Sequence, residues 1–177
     1  MADQLLFTTP DDALAHPMLA ELTAEYDRRY GDYFGPAGAS AEMNRYPASA
    51  FQPPEGNFLL LLRDGVAIAG GAFKRLDAHT AEFKRIWSHH AHRRQGLAAS
   101  MVAALEAQAA QQGYRRVYLT TGFRQPEAVA LYLSQGYQPL FDLQADPARY
   151  GTLPFEKNLH PAGTARDAAA QPIPFVA

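Results

Sequence analysis

Residues 81–113 constrain this chain more than any other stretch. They read AEFKRIWSHHAHRRQGLAASMVAALEAQAAQQG, a strand, a short turn and one long helix. Phe83, Ile86 and Trp87 give residues 81–88 the aromatic and β-branched content of a strand. Leu97, Met101, Ala104, Leu105 and Gln108 recur at helical spacing, and Gly113 suits the position just past a helix end. Between the two lies Arg93-Arg94-Gln95-Gly96-Leu97-Ala98. A glycine turn that opens a helix attracts anions for a physical reason. The first N–H groups of the helix lack internal partners, and the helix dipole favours negative charge there. Gly96 removes a Cβ so that a phosphate can approach the backbone. Arg93 and Arg94 add cationic donors suited to phosphate.

The familiar nucleotide loops are missing. There is no Gly-x-x-x-x-Gly-Lys-Ser/Thr and no Gly-x-Gly-x-x-Gly after a strand. What remains is a diphosphate held by the turn alone, as in coenzyme A binders. Residues 93–98 fit the pattern Arg/Gln-x-x-Gly-x-Gly/Ala, and the segment resembles motif A of the GNAT superfamily of N-acetyltransferases. Residues 128–137, AVALYLSQGY, resemble that superfamily's motif B. Two motifs in the right order, each on the expected element, are far more specific than one. The resemblance covers roughly residues 5–159 and is dense from 81 to 137.

At 177 residues the chain fits one domain. We expect an N-acetyltransferase domain over residues 1–160 and a tail over 161–177, which is rich in alanine and proline without periodicity. A net charge of −2 gives no reason to expect bulk binding to nucleic acid or to an anionic membrane. The absence of cysteine excludes disulfides, thiolate metal sites and a cysteine nucleophile. The longest apolar run, residues 58–62, is too short to span a bilayer. The first residues lack the basic and apolar regions of a signal peptide, so a cytoplasmic location is expected. Thirteen arginines against three lysines, with abundant alanine, hint at a GC-rich bacterial genome.

Strands are expected at residues 4–9, 58–63, 66–76, 81–88, 115–121, 137–143 and 151–159. Helices are expected at 13–30, with a break or restart near Pro17, within 40–51, from Leu97 to the Gly113 stop, and at 127–135. Asp64-Gly65 marks a hairpin turn. The fold class is therefore α/β: a mixed sheet with helices on both faces. A strand–helix–strand unit over 81–121 implies parallel neighbours joined by a right-handed crossover. The GNAT resemblance adds that these two parallel strands splay and admit the cofactor's pantetheine arm.

Acetyl transfer from a thioester to an amine requires a neutral amine, a stabilised carbonyl oxygen and a protonated leaving thiolate. Glu82 is the candidate base, with an ion pair to Lys84 or Arg85, or a carboxylate that binds the substrate amine, as the alternatives. Strand alternation puts Glu82 and Lys84 on one face and Phe83 and Arg85 on the other. By resemblance, Tyr132 is the candidate acid. Ile86, Trp87 and Ser88 would meet the pantetheine arm, and Arg93, Arg94, Gln95, Gly96, Leu97, Ala98 and Ala99 the diphosphate. Gln125 stands where many relatives carry an asparagine. The first helices would form the acceptor wall, making Tyr30, Tyr33, Phe34 and Arg45 substrate-binding candidates, with core-edge packing or a plain surface loop as the alternative. His89, His90 and His92 read as solvated turn residues rather than metal ligands, so no metal is expected.

The resemblance implies acetyl-CoA as co-substrate and direct transfer to a primary amine of a small molecule or peptide. No nucleic acid or membrane partner is expected, and a homodimer is compatible with the sequence. Two alternatives stay open: a CoA-ester-binding module without turnover, and an acyltransferase using another acyl-CoA.

Overall fold

The computed structural model describes residues 2–31, 33 and 35–160. The expected tail at 161–177 and Phe34 lie outside the described residues. Seven strands form one sheet: β1 (Gln4–Thr8), β2 (Asn57–Arg63), β3 (Val66–Arg75), β4 (Thr80–Ser88), β5 (Arg116–Gly122), β6 (Gln138–Pro139) and β7 (Thr152–Asn158). Their spatial order is β1-β2-β3-β4-β5-β7-β6, and β4–β5 is the parallel pair. The helices are α1 (His16–Tyr30), α2 (Gly38–Met43), α3 (Leu97–Gln111) and α4 (Pro126–Ser134).

Each face of the sheet has its own apolar layer. Met101, Val102 and Leu105 of α3 and Tyr132 of α4 pack with Leu59, Phe73, Phe83 and Leu119 on one face. On the other, Met18 of α1 packs with Phe51, Phe58, Leu60 and Trp87. Gly70 and Gly71 let both helices press close. A Cβ at Gly70 would lie 2.6 Å from Met18 Sδ, and one at Gly71 would lie 2.7 Å from Leu105 Cδ1. Fully burying one such large apolar side chain stabilises by roughly 1.5–3 kcal/mol, so the two layers hold the sheet from both sides.

The parallel pair opens along its length. Thr80–Phe83 align with Arg116–Leu119, and no further β4 residue pairs with β5. Just past Phe83 the β3–β4 register slips, so that Arg85 and Ile86 face a single residue, Gly71. Arg85 takes φ 59° there. A bulge bends a strand and raises its twist, and this one turns β4 away from β5.

The bulge corrects the expected alternation. Arg85 does not share the Phe83 face; its guanidinium lies over the Phe51 ring at 4.7 Å, on the α1 side with Glu82 and Lys84. Two other expectations also change. The strand expected at 137–143 is the two-residue β6, since Pro139 has no N–H with which to extend a ladder. The helix expected within 40–51 is split into α2 and a 3₁₀ turn at Ala48–Phe51, because Pro47 holds the preceding residue out of helical geometry.

Candidate active site

A cavity of about 1300 Å³ runs from the start of α3, through the gap between β4 and β5, to the wall made by α1 and α2. Its outer end is backbone. Arg94 (φ 63°) and Gly96 (φ 72°) are both left-handed, which folds the turn back over the start of α3. The first helical bond runs from Ser100 N–H to the Gly96 carbonyl, at 3.0 Å. The amides of Leu97, Ala98 and Ala99 therefore have no partner among the described residues, and no side chain caps the helix. The first turn carries no acidic residue, and a Cβ built on Gly96 would meet nothing within 4 Å. Open space in front of unpartnered amides fits a diphosphate.

The side chains of this motif diverge. Arg94 and Ala98 line the cavity, as do Ile86, Trp87 and Ser88. Arg93 also lines it and bonds Glu25 at 3.0 Å. Glu25 also holds Arg29 at 2.8 Å, and Arg29 pairs with Glu127. Burial pushes the Glu127 carboxyl up, but the Arg29 hydrogen bond, a backbone hydrogen bond and the Arg29 and Arg93 charges together hold it below its ordinary range. Gln95 turns away and accepts from Arg63 Nη1 at 3.2 Å. Leu97 is buried in the core, and Ala99 is not part of the cavity wall. None of these three lines the cavity.

Glu82 and Tyr132 both line the cavity. Glu82 is buried and is bracketed by Lys74 at 3.3 Å and Lys84 at 3.4 Å. The expected Lys84 pair is present, and Lys74 joins it from β3; Arg85 does not. Tyr132 packs between Tyr137 and Phe155, at 5.7 and 5.6 Å between ring centres. Its hydroxyl has no hydrogen-bond partner among the described residues. Burial drives its pKa well above the ordinary value near 10, so the phenol stays protonated.

The aromatic residues expected at the acceptor wall are largely structural. Tyr30 is buried, donates to Gln125 Oε1 at 3.1 Å and accepts from Arg124 N–H at 3.3 Å. It stacks close over Gly122, where a Cβ would fall 1.7 Å from its hydroxyl. Gln125 Oε1 also accepts from Thr121 Oγ1 at 3.2 Å and Gly122 N–H at 3.1 Å. This cluster pins the end of α1 to the start of α4, although both residues still line the cavity. Tyr33 packs on Phe123 at 5.0 Å and is not in the cavity wall. Arg45 is in the wall and pairs with Glu42 at 3.7 Å.

Sequence reasoning missed Glu42, Tyr46 and Lys74, which line the same inner end. Tyr46 is ringed by cations, with Lys74 at 4.6 Å, Lys84 at 5.1 Å and Arg45 at 5.4 Å from its centre. No local pattern announces them, because they come from separate elements.

The histidines before α3 are turn residues, with His90 exposed, that also contact one another and α1. His89 and His90 stack at 4.4 Å, and Glu21 of α1 accepts from His90 N–H at 2.8 Å. Burial pushes the Glu21 carboxyl up, but the His90 hydrogen bonds together with the nearby His89 and His90 charges lower its pKa. Glu21, His89 and His90 bring three potential metal-ligand atoms within 4.8 Å of one another. His89 Nδ1 already accepts from Ala91 N–H at 3.1 Å, so the group serves as a tie between the turn and α1.

Comparison with known proteins follows the same lines. Curated protein sequences give no match. Among solved structures, a Klebsiella pneumoniae protein named for acyl-CoA N-acyltransferase activity is 26% identical, with TM-score 0.67 over 89% of this chain and 98% of that one. A Streptococcus agalactiae acetyltransferase is 15% identical, with TM-score 0.68 over 90% and 99%. A GNAT family acetyltransferase from Elizabethkingia anophelis, solved with acetyl-CoA bound, is 13% identical, with TM-score 0.63 over 89% and 99%. The sequence model of the acetyltransferase (GNAT) family matches residues 18–137, a span that holds the splayed β4–β5 pair, the open start of α3 and the whole of α4. The chain belongs to the acetyltransferase (GNAT) family.

Proposed function

We propose that this protein transfers an acetyl group from acetyl-CoA to a primary amine, directly, with both substrates bound at once. The observation that carries this reading is the uncapped start of α3, aimed at the mouth of the gap between β4 and β5. Its three unpartnered amides, with Arg93 and Arg94, hold the diphosphate; the β4 edge left unpaired after Phe83 holds the pantetheine arm through backbone groups of Ile86, Trp87 and Ser88. Acetyl-CoA supplies an activated thioester.

Glu82, directly or through one water, takes the proton that the amine must lose to attack. The amine nitrogen bonds to the acetyl carbon as the carbon–sulfur bond breaks. Tyr132 gives its phenolic proton to the departing sulfur and is reprotonated from solvent. Burial keeps the phenol protonated, so a proton is present when the thiolate forms. Products are an N-acetylated amine and free CoA. The lack of cysteine leaves no thiol to carry the acetyl group covalently, which favours direct transfer.

Calorimetry with acetyl-CoA and release of CoA thiol over a panel of amines test the proposal together. Binding plus release on at least one amine supports it. Binding with no release on any amine would make the protein a CoA-ester-holding module. Shifts in Tm across several acyl-CoA esters report the acyl preference, since each ester stabilises in proportion to its affinity.

A further inference from the structure

The inner end of the cavity carries more positive than negative charge. Lys74, Lys84, Arg45 and Arg85 line it, against the carboxylates of Glu42 and Glu82. Three of the cations are matched. Lys74 and Lys84 hold Glu82 at 3.3 and 3.4 Å, Lys84 reaches Glu42 at 3.4 Å, and Arg45 reaches Glu42 at 3.7 Å. Arg85 differs: among the described residues it has no carboxylate within 4.0 Å.

The bulge sets Arg85 apart. With φ 59° it is turned out of the strand's alternation and lies under α2. One N–H, on Nη2, donates to the Met43 carbonyl at 2.8 Å, and the plane sits over Phe51 at 4.7 Å. The remaining donors of a guanidinium that carries five have no partner among the described residues. Burial removes water from the cation and lowers its pKa, while Glu42 opposes this from a distance. A largely desolvated cation without a counter-ion is costly unless an anion arrives. A second unmatched donor stands on the same wall: Trp87 Nε1 is buried and has no hydrogen-bond partner. Left-handed φ at a non-glycine residue is itself unfavourable, and such strain gathers at ligand clamps.

We infer that the acceptor amine carries a carboxylate, and that Arg85 receives it as a planar, two-toothed partner while the amine points at Glu82. The acceptor class is thus an amino acid or a similar amino-carboxylic acid. This rests on the acetyltransferase reading above and narrows its substrate. Fixing the carboxylate orients the amine, so Arg85 acts on specificity rather than on proton transfer. The three cations that Glu42 and Glu82 hold keep the chamber attractive to an anion without competing for the Arg85 fork.

The test uses wild type, Arg85→Gln and Arg85→Lys. Acetyl-CoA calorimetry on all three reports separately on the cofactor reading. Thiol release is measured on amino acids and on their amides and decarboxylated amines. Binding that needs no turnover is read from the Tm shift given by N-acetylamino acids, which are the products. We expect wild type to favour the acids. Arg85→Gln is expected to raise KM for them about 10- to 100-fold, the loss of a charge-assisted bond pair, with kcat little changed. Arg85→Lys keeps the charge without the fork and recovers part of the loss, and it serves if the glutamine variant does not fold. The inference is overturned if neutral counterparts match the acids in wild type, if aminophosphonates beat carboxylates, or if the variants keep the acid preference. It is also overturned if acids give neither turnover nor a Tm shift; an intact acetyl-CoA isotherm would then leave the transferase reading standing.

Discussion

At the start of α3 the cavity offers backbone amides without partners among the described residues; at the α2 end its wall is long charged side chains. The amides of Leu97, Ala98 and Ala99 are set by one turn and one helix start, contiguous in sequence. The inner end draws Glu42 from α2, Lys74 from β3, and Glu82, Lys84 and Arg85 from β4. A backbone site reads what every CoA ester shares and tolerates side-chain change. A side-chain site reads one acceptor and changes with each substitution. In the proposed reading, the first end would serve the part common to CoA esters, and the second would set this chain's acceptor specificity.

Glu82→Gln gives the largest expected effect. It keeps the side chain's size and removes the base, so kcat should fall about 10²- to 10⁴-fold with acetyl-CoA affinity unchanged. If instead Tm drops and kcat holds, Glu82 is only the counter-ion of Lys74 and Lys84. Gly96→Ala probes the other end. An alanine there meets no protein atom within 4 Å but sits in left-handed backbone, at about 1–2 kcal/mol and about 2–8 °C in Tm. Its Cβ should intrude on the amide cradle and weaken acetyl-CoA about 10- to 100-fold, seen by calorimetry, as two charge-assisted bonds are disturbed. Equal losses for acetyl-CoA and for the amine would show that the two ends are not independent.

Tyr132→Phe stands between them, since in the proposed mechanism the hydroxyl would serve the sulfur rather than either anchor. We expect kcat to fall about tenfold or more while acetyl-CoA affinity holds. Because burial raises this phenol's pKa, its proton should not be lost below about pH 10, and wild-type kcat should show no alkaline decline from this group up to that pH. The smallest effect is Arg93→Ala. Its half-exposed guanidinium is already shared with Glu25, so acetyl-CoA affinity should fall only about two- to fivefold, and less in high salt.

The same contrast decides what could be read from the sequence. The strand, turn and helix of residues 80–111 were legible because their signals are local: a β-rich run, a glycine turn and a helical period. The splay of β4 from β5 was implied by family resemblance alone. The position of Arg85 was hidden, because a bulge at residues 85 and 86 breaks the alternation used to assign its face. The signal available was Gly70-Gly71 in the partner strand, where glycine often marks a bulge or a close approach. Helical spacing puts Tyr30 at the core edge, where it is buried, and only family resemblance makes it an acceptor-wall candidate. Its hydroxyl bonds Gln125, 95 residues on, and no local pattern encodes such a contact. Lys74 and Glu42 join Glu82 and Lys84 across three elements for the same reason.

The most direct measurement of the central claim is a crystal structure of the protein soaked with coenzyme A. We expect the diphosphate on the amides of Leu97, Ala98 and Ala99, with the pantetheine arm running along β4 past Ile86 and the sulfur near the Tyr132 hydroxyl. Coenzyme A bound elsewhere, or no density at that turn at saturating concentration, would contradict it.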